Sequence, residues 1–532
     1  MSARRRPPNV VVVLADDLGY SDLGCFGGEI STPHLDRLAA DGLRMTSYLT
    51  TPRCSPSRAA LLTGRHPHSV GIGVLTTDER PWGYRGALDT AAPTLAEELG
   101  AQGYRTGLVG KWHLSSRTEQ PDETWPTRRG FEHFYGILPG CSSYYQPPLV
   151  EGETPVAEVA ADPDYYITDD LSERARRFVA DVELDDRPFF LYLAYTAPHW
   201  PLHAREEDVA RCRERYRAGW DVLREQRGAR QQELGVAAAG APGGRDPLVP
   251  AWEEEEHPDW QVERMATYAA QVEVMDRGIG TLLQQLEDSG VREDTLVVFT
   301  SDNGGCAEEL PTAPTFGTDI CPPRTRAGHE VRVGNSPDLR PGPEEGYSSY
   351  GRGWAQVSNT PFRLYKRWVH EGGVAAPLIA SWPRAIAADG LDAAPAHVVD
   401  LAATVLEACA VDGAARDAEP DPTETSGRSL LPRWTDRTRH EPDRTFCWEH
   451  IGNAAVRRGR WKLVRERDEP WELYDISVDR GETTDLAGGE PELVRDLEGR
   501  WQQWADASGV LPWAAVVEGH VRRGSPASRA EG

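Results

Sequence analysis

No apolar run in this 532-residue chain approaches the ~20 residues that span a bilayer, so no membrane span is expected. Basic residues are in deficit: 58 Lys and Arg stand against 84 Asp and Glu, a net charge of −26. That balance favours solubility and argues against nucleic acid, which needs a basic footprint. Cysteines are few and scattered, at 25, 54, 141, 212, 306, 321, 409 and 447, with no Cys-x-x-Cys pair. A disulfide-rich or zinc-ribbon scaffold is thereby excluded and reduced thiols are the expectation. There is no internal repeat. The start, Met1-Ser2-Ala3-Arg4-Arg5-Arg6, has the charge of a signal peptide, but the apolar run Val10 to Leu14 is too short for its hydrophobic region. It reads as a first core strand in a cytoplasmic protein, with a monomer favoured.

What is present is alternation. Apolar β-branched runs at Val10 to Leu14, Thr106 to Val109, Pro188 to Ala194 and Thr295 to Thr300 are separated by helical periodicity. That is the pattern of an α/β fold around a mainly parallel sheet. Met265, Tyr268, Val272, Met275, Ile279, Leu282, Leu283 and Leu286 recur at three- and four-residue steps before Gly290, predicting a long core-facing helix. Residues 225–260 and 307–353 read as loop excursions that shape the mouth of a site or move. A Pro/Ser/Thr-rich acidic stretch over 411–440 reads as a linker. Beyond it, Ala454 to Arg458, Trp461 to Val464 and Trp471 to Asp475 predict a small antiparallel sheet, followed by a helix over 490–506. The expected division is a large domain over 1–425 and a small α+β domain over 426–532.

Two strand ends carry oxygen ligands. Asp16-Asp17 ends the first strand, and Asp302-Asn303-Gly304-Gly305 follows the strand Leu296 to Thr300. Ligands in parallel α/β sheets bind at the carboxyl ends of strands, and an all-oxygen set suits Ca²⁺ or Mg²⁺. Each motif taken alone also fits a helix cap or an Asx turn.

Between them runs Thr51-Pro52-Arg53-Cys54-Ser55-Pro56-Ser57-Arg58-Ala59-Ala60-Leu61-Leu62-Thr63-Gly64-Arg65. Pro56 and the apolar residues after it place Cys54 near a helix N-terminus, where free N–H groups favour an anion. Arg58, one turn on, adds a permanent cation. Cys54-Ser55-Pro56-Ser57-Arg58 resembles the Cys-x-Pro-x-Arg signature of the type I sulfatases, in which the cysteine becomes formylglycine (3-oxoalanine) and its hydrated aldehyde is the nucleophile. The resemblance extends to Gly110-Lys111-Trp112-His113, Ala197-Pro198-His199-Trp200-Pro201, Lys366 before Glu371-Gly372-Gly373, and Arg457 to Lys462. It covers nearly the whole chain, looks closest to bacterial arylsulfatases, and implies the alkaline phosphatase superfamily fold: a large mixed, mainly parallel sheet between helices.

Carried onto this sequence, the resemblance implies one Ca²⁺ held by Asp16, Asp17, Asp302, Asn303 and the modified residue 54. Arg58, Lys111 and Lys366 would contact the nucleophile or the sulfate of a small-molecule ester. Asp302 is a candidate to accept the nucleophile's proton, His199 or Lys366 would protonate the leaving oxygen, and His113 would take the proton that lets sulfate leave. Maturation would require a formylglycine-generating enzyme. Two alternatives remain open: a formylglycine-dependent phosphonate monoester or phosphodiester hydrolase, and a non-catalytic binding protein on the same scaffold. Retention of Lys111 and His113 weighs against the first, and retention of Cys54 and every metal carboxylate against the second. Trp112 and Trp200 are either core or pocket lining.

Overall fold

The computed structural model describes residues 7–157, 162–181, 186–237, 244–312, 320–411, 427–439 and 443–522. Ten strands form one sheet: β1 (Asn9–Ala15), β2 (Leu43–Met45), β3 (Arg105–Lys111), β4 (His133–Ile137), β5 (Leu149–Glu151), β6 (Thr154–Pro155), β7 (Phe189–Ala194), β8 (Thr295–Ser301), β9 (Leu378–Ser381) and β10 (Gly390–Asp392). Their order in space is β10-β2-β9-β8-β1-β7-β3-β4-β5-β6. The central run from β8 to β4 is parallel, and antiparallel pairings appear where β9 meets β8 and β2 and where β5 meets β4. This is the expected mixed, mainly parallel sheet.

Successive side chains of a strand point to opposite faces, and here both faces are covered. In β1, Val11, Val13 and Ala15 enter one core, where Met265, Val272, Ile279 and Leu282 of the helix Pro258–Asp288 meet Leu171 and Val179 of the helix Ile167–Ala180. Val10, Val12 and Leu14 enter the other, with Ala59 to Leu62 of the helix Cys54–Thr63 and Leu401 and Val405 of the helix Asp400–Ala408. Unbroken apolar runs such as Phe189–Ala194 follow from that double burial.

The four predicted central strands are present, each displaced by at most two residues, and the long helix runs from 258 to 288. The excursion over 225–260 is corrected: it begins inside a helix, Gly219–Glu233, preceded by another, Glu206–Tyr216. Apolar periodicity missed the former because its buried face carries paired polar groups. Arg227, which is 1% exposed, binds Asp22 at 2.7 Å and Glu29 at 2.7 Å. Over 307–353 the described residues include two short strands, Arg332–Val333 and Gly346–Tyr347, and the start of a helix, Gly351–Ser358. Part of that stretch, 313–319, lies outside the described residues, as do most of the linker and the expected boundary at 425.

The C-terminal antiparallel sheet has four strands: β11 (Thr445–His450), β12 (Asn453–Arg458), β13 (Trp461–Arg465) and β14 (Glu472–Asp475). Phe446, Trp448, Ala455, Val464 and Tyr474 face the main core, while Cys447, Val456, Leu463 and Leu473 face the helix Pro491–Ser508. Residues 427–435 pack on the large body: Leu430 and Trp434 join its core, and Gly427 N donates to Gly64 O at 2.9 Å. None of the described helices is long and apolar enough to cross a membrane.

Candidate active site

Four neighbouring strand ends deliver the polar residues to one place. Asp16 and Asp17 follow β1, Asp302 and Asn303 follow β8, Lys111 ends β3, and His199 lies five residues beyond β7. In an extended strand Asp16 and Asp17 would point to opposite faces. Asp17 instead takes a left-handed backbone, φ 67°, which Asp tolerates better than most residues, and the chain turns both carboxylates into the site.

Three buried carboxylates meet three buried cations there. Lys111 Nζ donates to Asp16 Oδ2 at 2.6 Å, Lys366 Nζ to Asp17 Oδ2 at 2.8 Å, and Arg58 to Asp302 Oδ2 through Nε at 3.0 Å and a terminal nitrogen at 2.8 Å. Arg58 also donates to Lys111 O at 3.1 Å and lies 3.6 Å from Asp16. Asn303 Nδ2 donates to Asp17 Oδ1 at 2.6 Å, and the Asp17 amide donates to Asp302 Oδ1 at 3.2 Å. The two strand-end motifs therefore bind each other.

Burial alone would raise the Asp17 carboxyl, but Lys366 and His199 hold it at about 2. Burial, reinforced by Asp16, pushes Asp302 up to about 6 against the pull of Arg58. Burial lowers Lys366, yet Asp17, Cys306 and Glu308 outweigh it and keep the ammonium charged well above its usual range.

Cys54 is the first residue of its helix and is 3% exposed. Its Sγ lies 3.4 Å from His113 Nδ1. His113 has φ 56°, and a side chain at position 140 would strike its ring, since a Cβ there would fall 2.6 Å from Cε1; glycine stands at that position. Burial lowers His113 well below its usual value, and the Lys111, Arg58 and Lys366 charges lower it further, so the ring is neutral. His199 is held to about 3 by burial, with Lys366 and Lys111 opposing the pull of Asp17. Its Nδ1 faces Trp200 O at 2.6 Å, and a carbonyl only accepts. The proton therefore sits on Nδ1, leaving Nε2 to accept from Lys366 Nζ at 3.2 Å.

Each candidate catalytic and metal-binding residue named from the sequence is thus brought to this place. Arg58 faces the Asp302 carboxylate directly. Trp112 is core, fully buried and bonded to Ser115, whereas Trp200 is half-buried at the rim and donates to Glu308 Oε2 at 2.8 Å. Glu308 was missed. It also accepts from Arg53 at 2.7 Å and is held well below its usual range, burial being outweighed by Arg53 and Lys366. No spacing rule marks it; only the loop after Gly305 brings it there.

The donor set fits a hard cation. Asp16 Oδ1 and Asn303 Oδ1 are buried without a hydrogen-bond partner, and ligand atoms of Asp16, Asp17 and His199 lie within 4.8 Å of one another.

The Sulfatase family model matches residues 8–411. An uncharacterised sulfatase of Schizosaccharomyces pombe is 33% identical over 549 residues, covering 96% of this chain and 95% of that one. The arylsulfatase of Klebsiella aerogenes is 32% identical over 428 residues, covering 77% of this chain and 88% of the relative. Among solved structures, Ps i-CgsB in complex with k-i-k-neocarrahexaose has a TM-score of 0.68 at 25% identity and covers 99% of both chains. The phosphonate monoester hydrolase of Agrobacterium radiobacter, with a TM-score of 0.58 at 17% identity over 94% of this chain and 96% of its own, shares the fold alone. With its alkaline phosphatase-like fold and its site at four strand ends, the chain belongs to the sulfatase family and is a sulfuric ester hydrolase.

Proposed function

We propose that the protein hydrolyses the sulfate ester of a small phenol or alcohol, arylsulfatase-type, with residue 54 converted from cysteine to formylglycine and with one Ca²⁺ in the site. The observation that carries the reading is Cys54 Sγ at a helix N-terminus, 3.4 Å from a neutral His113 and beside the three carboxylate–cation pairs. Asp16, Asp17, Asp302 and Asn303 would hold the ion, and their oxygens suit calcium better than a softer metal. When bound, the metal polarises sulfate oxygens and the aldehyde supplies a hydrated nucleophile that a thiol cannot replace.

The chain's own residues do the rest. Asp16, Asp17, Asp302 and Glu308 face Lys111, Lys366, Arg58 and Arg53, so in a protein of net charge −26 this spot is locally balanced. A divalent ion would make it positive, which suits an anionic ester. The free N–H groups at the start of the helix Cys54–Thr63 favour the same charge. His113, neutral and in contact with residue 54, accepts the proton released there. Lys366 carries a proton toward the leaving oxygen and His199, bonded to it through Nε2, aims it.

Peptide mass at residue 54 after co-expression with a formylglycine-generating enzyme, read with hydrolysis of an aryl sulfate and an aryl phosphodiester, tests the reading. Conversion of thiol to aldehyde and a higher kcat/KM on the sulfate are expected. A higher kcat/KM on the phosphodiester would transfer the protein to the phosphonate monoester or phosphodiester hydrolases.

A further inference from the structure

Lys366 stands in a strained loop. Leu364 and Arg367, on either side of it, both have left-handed backbone, φ 62° and 90°. Bulky residues keep that conformation only where their surroundings impose it. The loop wraps the short helix Glu371–Val374: a Cβ at Gly372 would fall 2.2 Å from Leu364 O, and one at Gly373 1.9 Å from Trp368 O. The same turn grips the segment after Asp302 and Asn303. Gly304 N donates to Gly373 O at 3.1 Å, and Lys366 N to Gly305 O at 3.1 Å. Where residues 371–374 sit therefore decides where Lys366 points.

The groups that hold the Glu371 side chain come from the C-terminal sheet and the segment after it. Lys462 Nζ of β13 donates to Glu371 Oε1 at 3.1 Å and lies 2.9 Å from Glu482 Oε1. Glu482 Oε2 in turn accepts from the Glu371 amide at 2.9 Å. Arg480 donates to Glu371 Oε2 at 2.9 Å and to Thr46 O at 2.9 Å. Lys462, Glu371 and Glu482 are fully buried. A buried ion network contributes little stability that well-packed apolar side chains would not supply, but it is directional.

We propose that Lys462 and Glu482 are positioning residues for the reaction: through Glu371 they fix the loop that aims Lys366 at Asp17, His199 and the leaving oxygen. The inference rests on the hydrolytic role of Lys366 given above. An activated leaving group needs little help from a proton, whereas a poor one needs much. Displacing Lys366 therefore penalises poor leaving groups selectively, while general loosening of the fold slows all substrates alike.

The test compares phenyl sulfate with 4-nitrophenyl sulfate in the full chain, with the conversion of residue 54 verified by mass and the folded fraction by circular dichroism. Glu371→Gln is expected to lower kcat/KM for phenyl sulfate about 10²-fold and for 4-nitrophenyl sulfate less than 10-fold, through kcat rather than KM. Should that variant not fold, Glu482→Gln is read in the same way. An equal fall on both substrates, or none, overturns the inference while the proposed function stands. A converted wild-type protein that hydrolyses neither ester overturns both.

Discussion

Lys366 Nζ bridges Asp17 Oδ2 at 2.8 Å and His199 Nε2 at 3.2 Å, so one ammonium joins the carboxylate at the end of β1 to the imidazole beyond β7. Removing it breaks both contacts at once. Lys366→Ala is expected to lower kcat by about 10²-fold or more, and most on poor leaving groups. Steady-state kinetics on aryl sulfates of graded leaving-group pKa measure this; a uniform loss across the series would deny Lys366 its part in proton delivery.

Cys54→Ala and Cys54→Ser are expected to abolish turnover with the fold intact, because a methyl group cannot become an aldehyde and an alcohol lacks the thiol on which a cysteine-specific formylglycine-generating enzyme acts. His113→Ala, in contact with residue 54, is expected to cost about 10²–10⁴-fold in kcat. Far-ultraviolet circular dichroism together with aryl sulfate turnover decides the matter, and a near-normal rate in Cys54→Ala would rule out the formylglycine mechanism.

Calcium binding is expected to stabilise the folded chain, since Asp16 Oδ1 and Asn303 Oδ1 are buried without a hydrogen-bond partner. At a free concentration 100 times Kd the gain is about 2.7 kcal/mol. Thermal unfolding with Ca²⁺ and with a chelator would show the shift, and Asn303→Ala would reduce it. A chelated, metal-free protein with full activity would refute the assignment.

Acid is expected to weaken the seat of the C-terminal sheet. His66 lies 5.3 Å from His397 and 5.0 Å from Trp504, ring centre to ring centre, with Asp400, Arg444 and His68, itself 2.9 Å from Glu449, close by and His450 at the end of β11. Burial lowers three of these histidines: His397 to about 3, His66 and His450 well below their usual value. The unfolded chain takes up these protons below about pH 6.5 and the folded chain does not. Their contribution is therefore complete above that pH and falls as pH drops below it, by ~1.4 kcal/mol per pH unit for each histidine that stays neutral in the folded chain. Urea unfolding from pH 8 to 4.5 measures the slope, which His397→Gln should flatten.

Leu193→Ala in β7 is expected to cost about 2–5 kcal/mol, since the side chain is fully buried in the sheet's core. Chemical denaturation reads this directly, and a cost below about 1 kcal/mol would mean that the neighbouring helices close the cavity.

The α/β class, the central strands and the long helix were legible because double burial writes unbroken apolar runs and amphipathic helices write a 3.6-residue period. The residues that meet at the candidate site were legible as motifs, at strand ends for Asp16, Asp17, Asp302, Asn303 and Lys111 and at a helix start for Cys54. The helix Gly219–Glu233 was not, because Arg227 satisfies its buried face with Asp22 and Glu29, and polar letters carry no apolar period. Strand β11 escaped for a different reason: the other strands of its sheet, β12, β13 and β14, were marked by turn residues, whereas it follows closely on the acidic stretch.

By itself the sequence determined which groups are present: the cysteine at the start of a helix, the carboxylates and amide at two strand ends, and the cations needed to offset them. Only the tertiary structure decided the pairing. Lys111 with Asp16, Lys366 with Asp17, Arg58 with Asp302, Glu308 with Arg53 and Lys462 with Glu371 join residues from 91 to 349 positions apart. Local propensity is silent about such contacts, because a buried charge is matched by whichever opposite charge the packed strands and loops bring within reach.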